Sequence, residues 1–405
     1  MKRIRDPIHG YVELDDEILK IVDNEFFQRL RYIKQNGLAY LVFPSANHTR
    51  FEHSLGTFHI ASMMINNLES KDIDVDVMKK VALLHDIGHL PFSHTFEDAM
   101  KILFYMDNSK YMEIMSKIGV KTPYETAKFH EYLGIFILKN CMEGLEDVAN
   151  KMEEIYVKKK GGIEKSLISS TFDADRLDYL QRDSYYFGVR YGLIPLDRIL
   201  TVMRINSSGK YVFDSKGRDD LEHFLIARYH MYSAVYSHPV KGLMDMVMAF
   251  AIAKMIKDNV ISVEDLTSCE KIVNFTDDFI LMKLKENQSY RQFYETIYKR
   301  IKYKKKILED QDADNFISKY PKEKEKELYD FIIRSDGRLV IYNSKTDMPV
   351  ENVILNIQGK EIDLDKVDKT KYINIPKCRI KIVIGYKDDE TYKEFEKNYL
   401  SNKLI

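Results

Sequence analysis

The stretch LLHDIGHLPFSHTFE, residues 83–97, places His85, His89 and His94 within ten positions, in a chain that holds 11 histidines. His85 is followed directly by Asp86. Taken alone, a His-Asp pair reads as a hydrogen-bonded core histidine beside a surface carboxylate. Two further stretches change that reading. In HTRFEHSLG, Arg50 and His53 lie three apart on one helix face, while Phe51, Leu55 and Phe58 mark another. In DADRLDYLQRDSYYFG, Asp175, Tyr179, Asp183 and Tyr186 fall at i, i+4, i+8 and i+11, one polar stripe along a helix. Two imidazoles (His53, His85) and two carboxylates (Asp86, Asp175) make a mixed nitrogen and oxygen ligand set. Such a set suits Fe, Mn, Ni or Zn and leaves positions for water or a substrate phosphate.

The elements that must position these groups are mostly helical. VALLHDIG is a helical run that Gly88 and Pro91 end, so His85 and Asp86 sit at the C-terminal end of a buried helix. A polar pair is costly there unless satisfied. IRDPIHGYVEL predicts two short strands about a turn. From Asp16 onward helical periods dominate, with further helices through ETAKFHEYLGIFILKN and DADRLDYLQRDSYYFG. NSSGKYVFD predicts a hairpin turn leading into a strand. Residues 221–258 read as one long helix or as two broken near Pro239, with its methionines in the core. The charged text of residues 302–330 reads as a solvated helix face or connector. RLVIY, ENVILNI and CRIKIVIGY then change the period to short β-branched runs, so residues 331–405 are expected to form a small α+β appendage. The fold class is mainly α: residues 1–330 carry a helical core over about 48–190 with short β-hairpins and a helical extension.

Composition limits the function classes. With 405 residues, 45% of them hydrophobic, the chain can bury a large core. A formal net charge of −1 gives no general pull toward nucleic acid or membrane, so an anionic ligand must be held by local arginines and lysines. Three cysteines without paired spacing point to a reducing compartment and away from disulfides. The N-terminus has no apolar core of signal-peptide length, and LMDMVMAFAIAKMI is too short to span a bilayer. A cytoplasmic protein is expected, with no membrane partner and no nucleic-acid partner.

The order H…HD…D, carried by RFEHSLG, LLHDIGHLPFSH and DADRLDYLQRD, resembles the HD-domain phosphohydrolases. DPIHGYVEL, FFQRLRYIKQNG, FPSANHTRFEHSLG and HDIGHLPFSHTFE together resemble the deoxynucleoside triphosphate triphosphohydrolases among them. The resemblance is dense over residues 2–100 and recurs at 126–135, 171–190 and 214–242. It implies hydrolysis of a dNTP to deoxynucleoside and tripolyphosphate, with His53, His85, Asp86 and Asp175 as metal ligands and Mg accompanying the substrate phosphates. His89, His94 and His130 match the family's other active-site histidines. Glu97 stands where an aspartate orients a catalytic histidine. Arg50, Arg176 and Arg228 match phosphate-contacting positions. Tyr179, Asp183 and Tyr236 match groups around the sugar, and Gln35 lies beside sugar and base. Asp23, Gln28 and Arg31 match a second site for an activating guanine nucleotide, although Arg5 replaces an asparagine there. The resemblance also implies a homo-oligomer.

The chemistry needs these residue types. Repulsion by a triphosphate's charge hinders water attack at phosphorus, and a metal offsets that charge and acidifies water. Arginines give bidentate contacts to the remaining oxygens, and a histidine backed by a carboxylate can protonate the departing 5′ oxygen; His94 and His130 are both candidates. Other HD phosphohydrolases acting on mono-, di- or cyclic nucleotides are the alternative, as is a non-catalytic nucleotide sensor. Leu90 follows His89 where alarmone hydrolases carry an acidic pair, and no GYP tripeptide marks a cyclic-dinucleotide phosphodiesterase. The retained His94, His130 and Arg50 speak against a sensor.

Overall fold

The computed structural model describes the chain except residues 69–72, 121–126, 207, 321–323, 348–352, 367–377 and 401–405, and within its strands and turns the side chains of 345–347, 365, 378 and 379 are also left undescribed. Helices dominate, as the hydrophobic periods predict. The first hairpin pairs β1 (Lys2–Asp6) with β2 (Gly10–Leu14) antiparallel, so its turn carries His9. Asp6 holds that turn by accepting from the backbone N–H of Ile8 at 2.8 Å and His9 at 3.0 Å.

Helices surround the site. Arg50–Leu68 presents His53. Val75–Leu84, capped by Asp74 accepting from the Val77 N–H, ends where His85 and Asp86 begin. Phe129–Asn140 presents His130; the earlier part of ETAKFHEYLG includes residues outside those described. Ala174–Phe187 presents Asp175 to Asp183; Asp173 caps its start and Gly188, at φ +69°, ends it. Behind them, the helix Pro239–Lys257 is buried almost throughout, including Met244, Met246, Met248 and Met255. It packs along the helix His94–Met106 and seats it in the core. The break near Pro239 is present: Arg218–His230 runs into a wider turn, Met231–Tyr236, before proline restarts the helix.

Two sequence expectations need correction. Residues 304–309 are a strand rather than a helix face. The strands are β3 (Met203–Ile205), β4 (Tyr211–Asp214), β5 (Lys304–Glu309), β6 (Leu339–Asp347), β7 (Ile354–Ile357), β8 (Lys360–Asp363) and β9 (Cys378–Tyr386). They form sheets in the orders β3-β4-β7-β8 and β5-β9-β6, so strand pairing runs across residue 330. β4 and β7 pair in parallel. The β5 lysines lie on an exposed sheet edge, which is why the run reads as solvated. The second correction is Cys141–Cys269, a disulfide with Cα atoms 5.5 Å apart between residues separated by 128 positions. Only tertiary folding brings them together, and the bond removes the cysteine-based argument for a reducing compartment. Among the described residues, no helix is long and apolar enough to cross a membrane.

Candidate active site

The metal-type ligands meet because two helices approach closely at Gly56. A Cβ there would lie 1.9 Å from Asp178 Oδ1 and 2.4 Å from Arg182 Nη2. With glycine in place, Asp178 reaches across to accept from His53 Nδ1 at 2.8 Å. The same carboxylate accepts from His9 Nε2 at 2.6 Å and from Arg182 Nε and Nη2, each at 2.9 Å. Arg182 in turn donates to Asp6 at 2.8 Å, tying the N-terminal hairpin to the site. His85 Nδ1 donates to the Ala82 carbonyl at 2.9 Å. Both imidazoles thus spend Nδ1 on the protein, and both Nε2 atoms are buried without a hydrogen bond.

Carboxylates close on those two nitrogens. Asp175 Oδ1 lies 3.0 Å from His53 Nε2 and 3.8 Å from His85 Nε2. Asp86 places its two oxygens 3.5 Å from His53 Nε2 and 3.4 Å from His85 Nε2. Burial alone would lower the His53 pKa, but the Asp175 and Asp178 carboxylates beside its two nitrogens raise it to about 10. Burial likewise opposes ionisation of Asp86, yet Arg50, donating at 2.5 Å, together with His85 and His89 holds it well below the usual carboxylate range. The cluster favours positive charge at its centre. Two orphaned Nε2 atoms facing two ionised carboxylates fit a divalent ion.

The adjoining wall carries the other histidines. Gly88 permits it: a Cβ there would lie 2.1 Å from the His130 carbonyl and 2.3 Å from the Gly134 nitrogen. The rings of His89 and His130 stack at 3.8 Å. Glu97 bridges His130 Nδ1 and His94 Nδ1, the latter at 2.9 Å. Burial would raise the Glu97 pKa, but these two imidazoles hold it well below the carboxylate range. His94 is aimed by a strained turn in which Phe92 (φ 61°) and Ser93 (φ 56°) are both left-handed. Asp277 accepts from the Phe92 N–H at 2.7 Å, and Ser93 Oγ donates to the Lys34 carbonyl at 2.7 Å while accepting from Arg50 Nε at 2.9 Å.

At the opposite end, Asp183 accepts from Asn36 Nδ2 at 2.8 Å, His48 Nε2 at 2.6 Å and the Tyr236 hydroxyl at 2.6 Å. Gln35 Oε1 is buried without a partner. The Tyr179 hydroxyl sits 3.4 Å from that of Tyr232. Arg176 Nη1 donates to Asp173 and, at 2.6 Å, to the Ser170 carbonyl.

One cleft of about 280 Å³ gathers Gln35, Arg50, His85, Asp86, His89, His94, His130, Asp175, Arg176, Tyr179, Asp183 and Tyr236. His53 and Glu97 stand behind its wall. Arg228 does not line it and faces an adjoining basin instead. Asp23, Gln28 and Arg31 lie elsewhere: Arg31 donates to Gln28 Oε1 at 2.8 Å and its guanidinium covers the Phe51 ring at 3.4 Å. Sequence reasoning missed Asp178, Asn36, Lys128 and Tyr232, and it left His48 without a partner. Asp178 carried a signal, standing three after Asp175 and four before Arg182 on one helix.

Family models match two parts of the chain: the HD domain over residues 50–183 and the HD associated region over residues 194–363. An uncharacterized protein of Methanocaldococcus jannaschii is 35% identical over 362 residues, covering 83% of this chain and 73% of that one. The chain belongs to the HD-domain phosphohydrolases. The first match spans every residue from Arg50 to Asp183, and so contains all four metal-type ligands. The deoxynucleoside triphosphate triphosphohydrolase SAMHD1 of Gallus gallus is 29% identical over 288 residues, which are 63% of this chain but 45% of that enzyme. The chain therefore spans less than half of that relative. A crystal structure of a hypothetical protein from Aquifex aeolicus superposes with a TM-score of 0.73 at 28% identity, covering 99% of this chain and 100% of that one.

Proposed function

We propose that this chain hydrolyses deoxynucleoside triphosphates to deoxynucleoside and tripolyphosphate, using a divalent transition ion with Mg on the substrate phosphates. The observation that carries this reading is the polarity of that cleft. His85, Asp86 and Asp175 line it with His53 behind them, Arg50, Lys128 and Arg176 supply cations along it, and a carboxylate–phenol pair, Asp183 and Tyr236, closes the far end. That layout suits a ligand with a chain of phosphates at one end and a hydroxylated sugar at the other. In this reading the 3′-hydroxyl meets Asp183, and the Tyr179 ring takes the space that a 2′-hydroxyl would need.

When bound, the ion supplies charge neutralisation at phosphorus and acidifies water. The chain's own groups do the rest. Arg50 is fixed by Asp86, Ser93 and the Gln35 carbonyl, so its guanidinium is preorganised beside the phosphate path. Glu97 engages Nδ1 of both His94 and His130, which sets the tautomer and leaves Nε2 of each to carry a proton. A water oxygen joins the α-phosphorus and the bond to the 5′ oxygen breaks; that oxygen takes a proton from one of these imidazoles, and the proton released by the attacking water restores the imidazolium.

The test is incubation of metal-loaded protein with dNTPs, NTPs, nucleoside mono- and diphosphates and cyclic dinucleotides, with products resolved by chromatography. Deoxynucleoside with tripolyphosphate is the expected pair. Turnover confined to another nucleotide class would overturn the assignment.

A further inference from the structure

Beyond the cleft lies a larger basin of about 810 Å³ that shares Ser169 and Arg176 with it. Two separated segments supply the lysines of its rim. Lys159, Lys160 and Lys165 come from the turn KKKGG and the short helix after it, and Lys210 comes from the turn between β3 and β4. Arg176, Arg228 and Tyr211 reach the basin from the body of the protein. Six cationic side chains thus line the basin with one carboxylate, Asp363, which is already paired with Lys366 at 2.7 Å; of the six, Arg176 is paired with Asp173. Among the described residues, none of the four lysines has an ion-pair partner of its own.

A second observation is independent of charge. Arg228 is 4% exposed, yet its Nε and Nη1 atoms have no hydrogen-bond partner. Tyr211 is 7% exposed and its hydroxyl is equally unpartnered. Donors left unmade at such depth are costly and mark places where a ligand supplies the acceptor. Planar guanidinium groups with several lysines behind them suit a chain of phosphate groups, whose oxygens can be met in pairs along its length. Nucleic acid is a poorer fit: the aromatic rings lining the basin, Phe172, Tyr211 and Phe213, are buried and offer no stacking platform.

We propose that this basin is a second anion site that holds a linear polyphosphate of the tripolyphosphate class, distinct from the site that holds the nucleotide. Its identification as a berth for the departing product rests on the hydrolase reading above. Arg176 and Arg228 can serve substrate phosphates as well, so the rim lysines are what separates the two sites.

The experiment is titration calorimetry of the metal-loaded full chain with inorganic tripolyphosphate and, separately, with a dNTP, alongside steady-state kinetics. The variant is Lys159→Ala/Lys160→Ala/Lys210→Ala, three exposed positions outside the catalytic groups. Expected is a loss of at least tenfold in tripolyphosphate affinity, with nucleotide KM and kcat within twofold of the parent. Arginine at the same three positions should retain binding, and its loss there would contradict a site built on charge. Unchanged tripolyphosphate affinity in the alanine variant would overturn the proposal. So would a parallel rise in nucleotide KM, which would make the basin part of the substrate's own phosphate subsite. If no dNTP is turned over at all, the tripolyphosphate titration still decides the site, and only the hydrolase reading falls.

Discussion

Asp178→Asn isolates the group that orients a metal ligand without touching the ion. Asp178 Oδ2 accepts from His53 Nδ1 and Arg182 Nε, and Oδ1 accepts from His9 Nε2 and Arg182 Nη2. An asparagine has one acceptor oxygen, so either orientation sets its NH2 against two donors. If the NH2 faces His53, the imidazole loses the contact that fixes its tautomer. If it faces His9, the hairpin and half of the Arg182 fork lose theirs. Loss of such an outer contact typically weakens metal binding about 10–100-fold, roughly 1.4–2.8 kcal/mol. Arg182, 0% exposed, keeps only Asp6 as a counter-charge, and breaking one partner of a buried pair costs about 3–5 kcal/mol of stability. Metal retained against a graded chelator, read on protein shown to be folded by circular dichroism, measures the first effect; thermal unfolding measures the second. Metal affinity equal to the parent's would refute the claim that Asp178 sets the His53 tautomer.

Gly88→Ala should lower kcat at least tenfold while metal content is kept, because the added Cβ meets backbone of the His130 helix that has no cheap way to move; unchanged turnover would show that His130 placement is not critical. Tyr179→Ala should narrow the preference for a deoxynucleotide over its ribonucleotide, measured as the ratio of kcat/KM values, and an unchanged ratio places discrimination elsewhere. Burial opposes ionisation of Asp178 and Glu97, but their cationic partners depress both folded-state pKa values. Their contribution to stability is therefore complete above the ordinary carboxylate range and is lost as pH falls through the lower folded values. Melting temperature should hold near neutrality and drop below about pH 4, less steeply in Asp178→Asn; a flat profile down to pH 3 would contradict this.

The metal-type ligands were legible because each sits at a fixed position in a short local motif, and helix geometry alone puts Asp175, Tyr179 and Asp183 on one stripe. Both hairpins and the break near Pro239 were legible for the same reason: turn residues and proline act locally. Asp178 was harder. Its role depends on Gly56, 122 positions away, letting two helices close to contact. The Cys141–Cys269 bond has no local signature for the same reason. β5 was misread because it is an edge strand whose exposed lysines look like any solvated run, and only its pairing with β9 makes it a strand. The basic basin was invisible because its lysines come from segments that the sheet β3-β4-β7-β8 and the turn at Gly161 bring together.

The most direct test of the central claim is dNTP hydrolysis by the metal-loaded chain in water enriched in oxygen-18, with both products weighed by mass spectrometry. Attack at the α-phosphorus with a protonated 5′ oxygen leaving predicts one labelled oxygen in tripolyphosphate and none in the deoxynucleoside. Label in the deoxynucleoside, or a deoxynucleoside monophosphate with pyrophosphate as the products, would contradict the account.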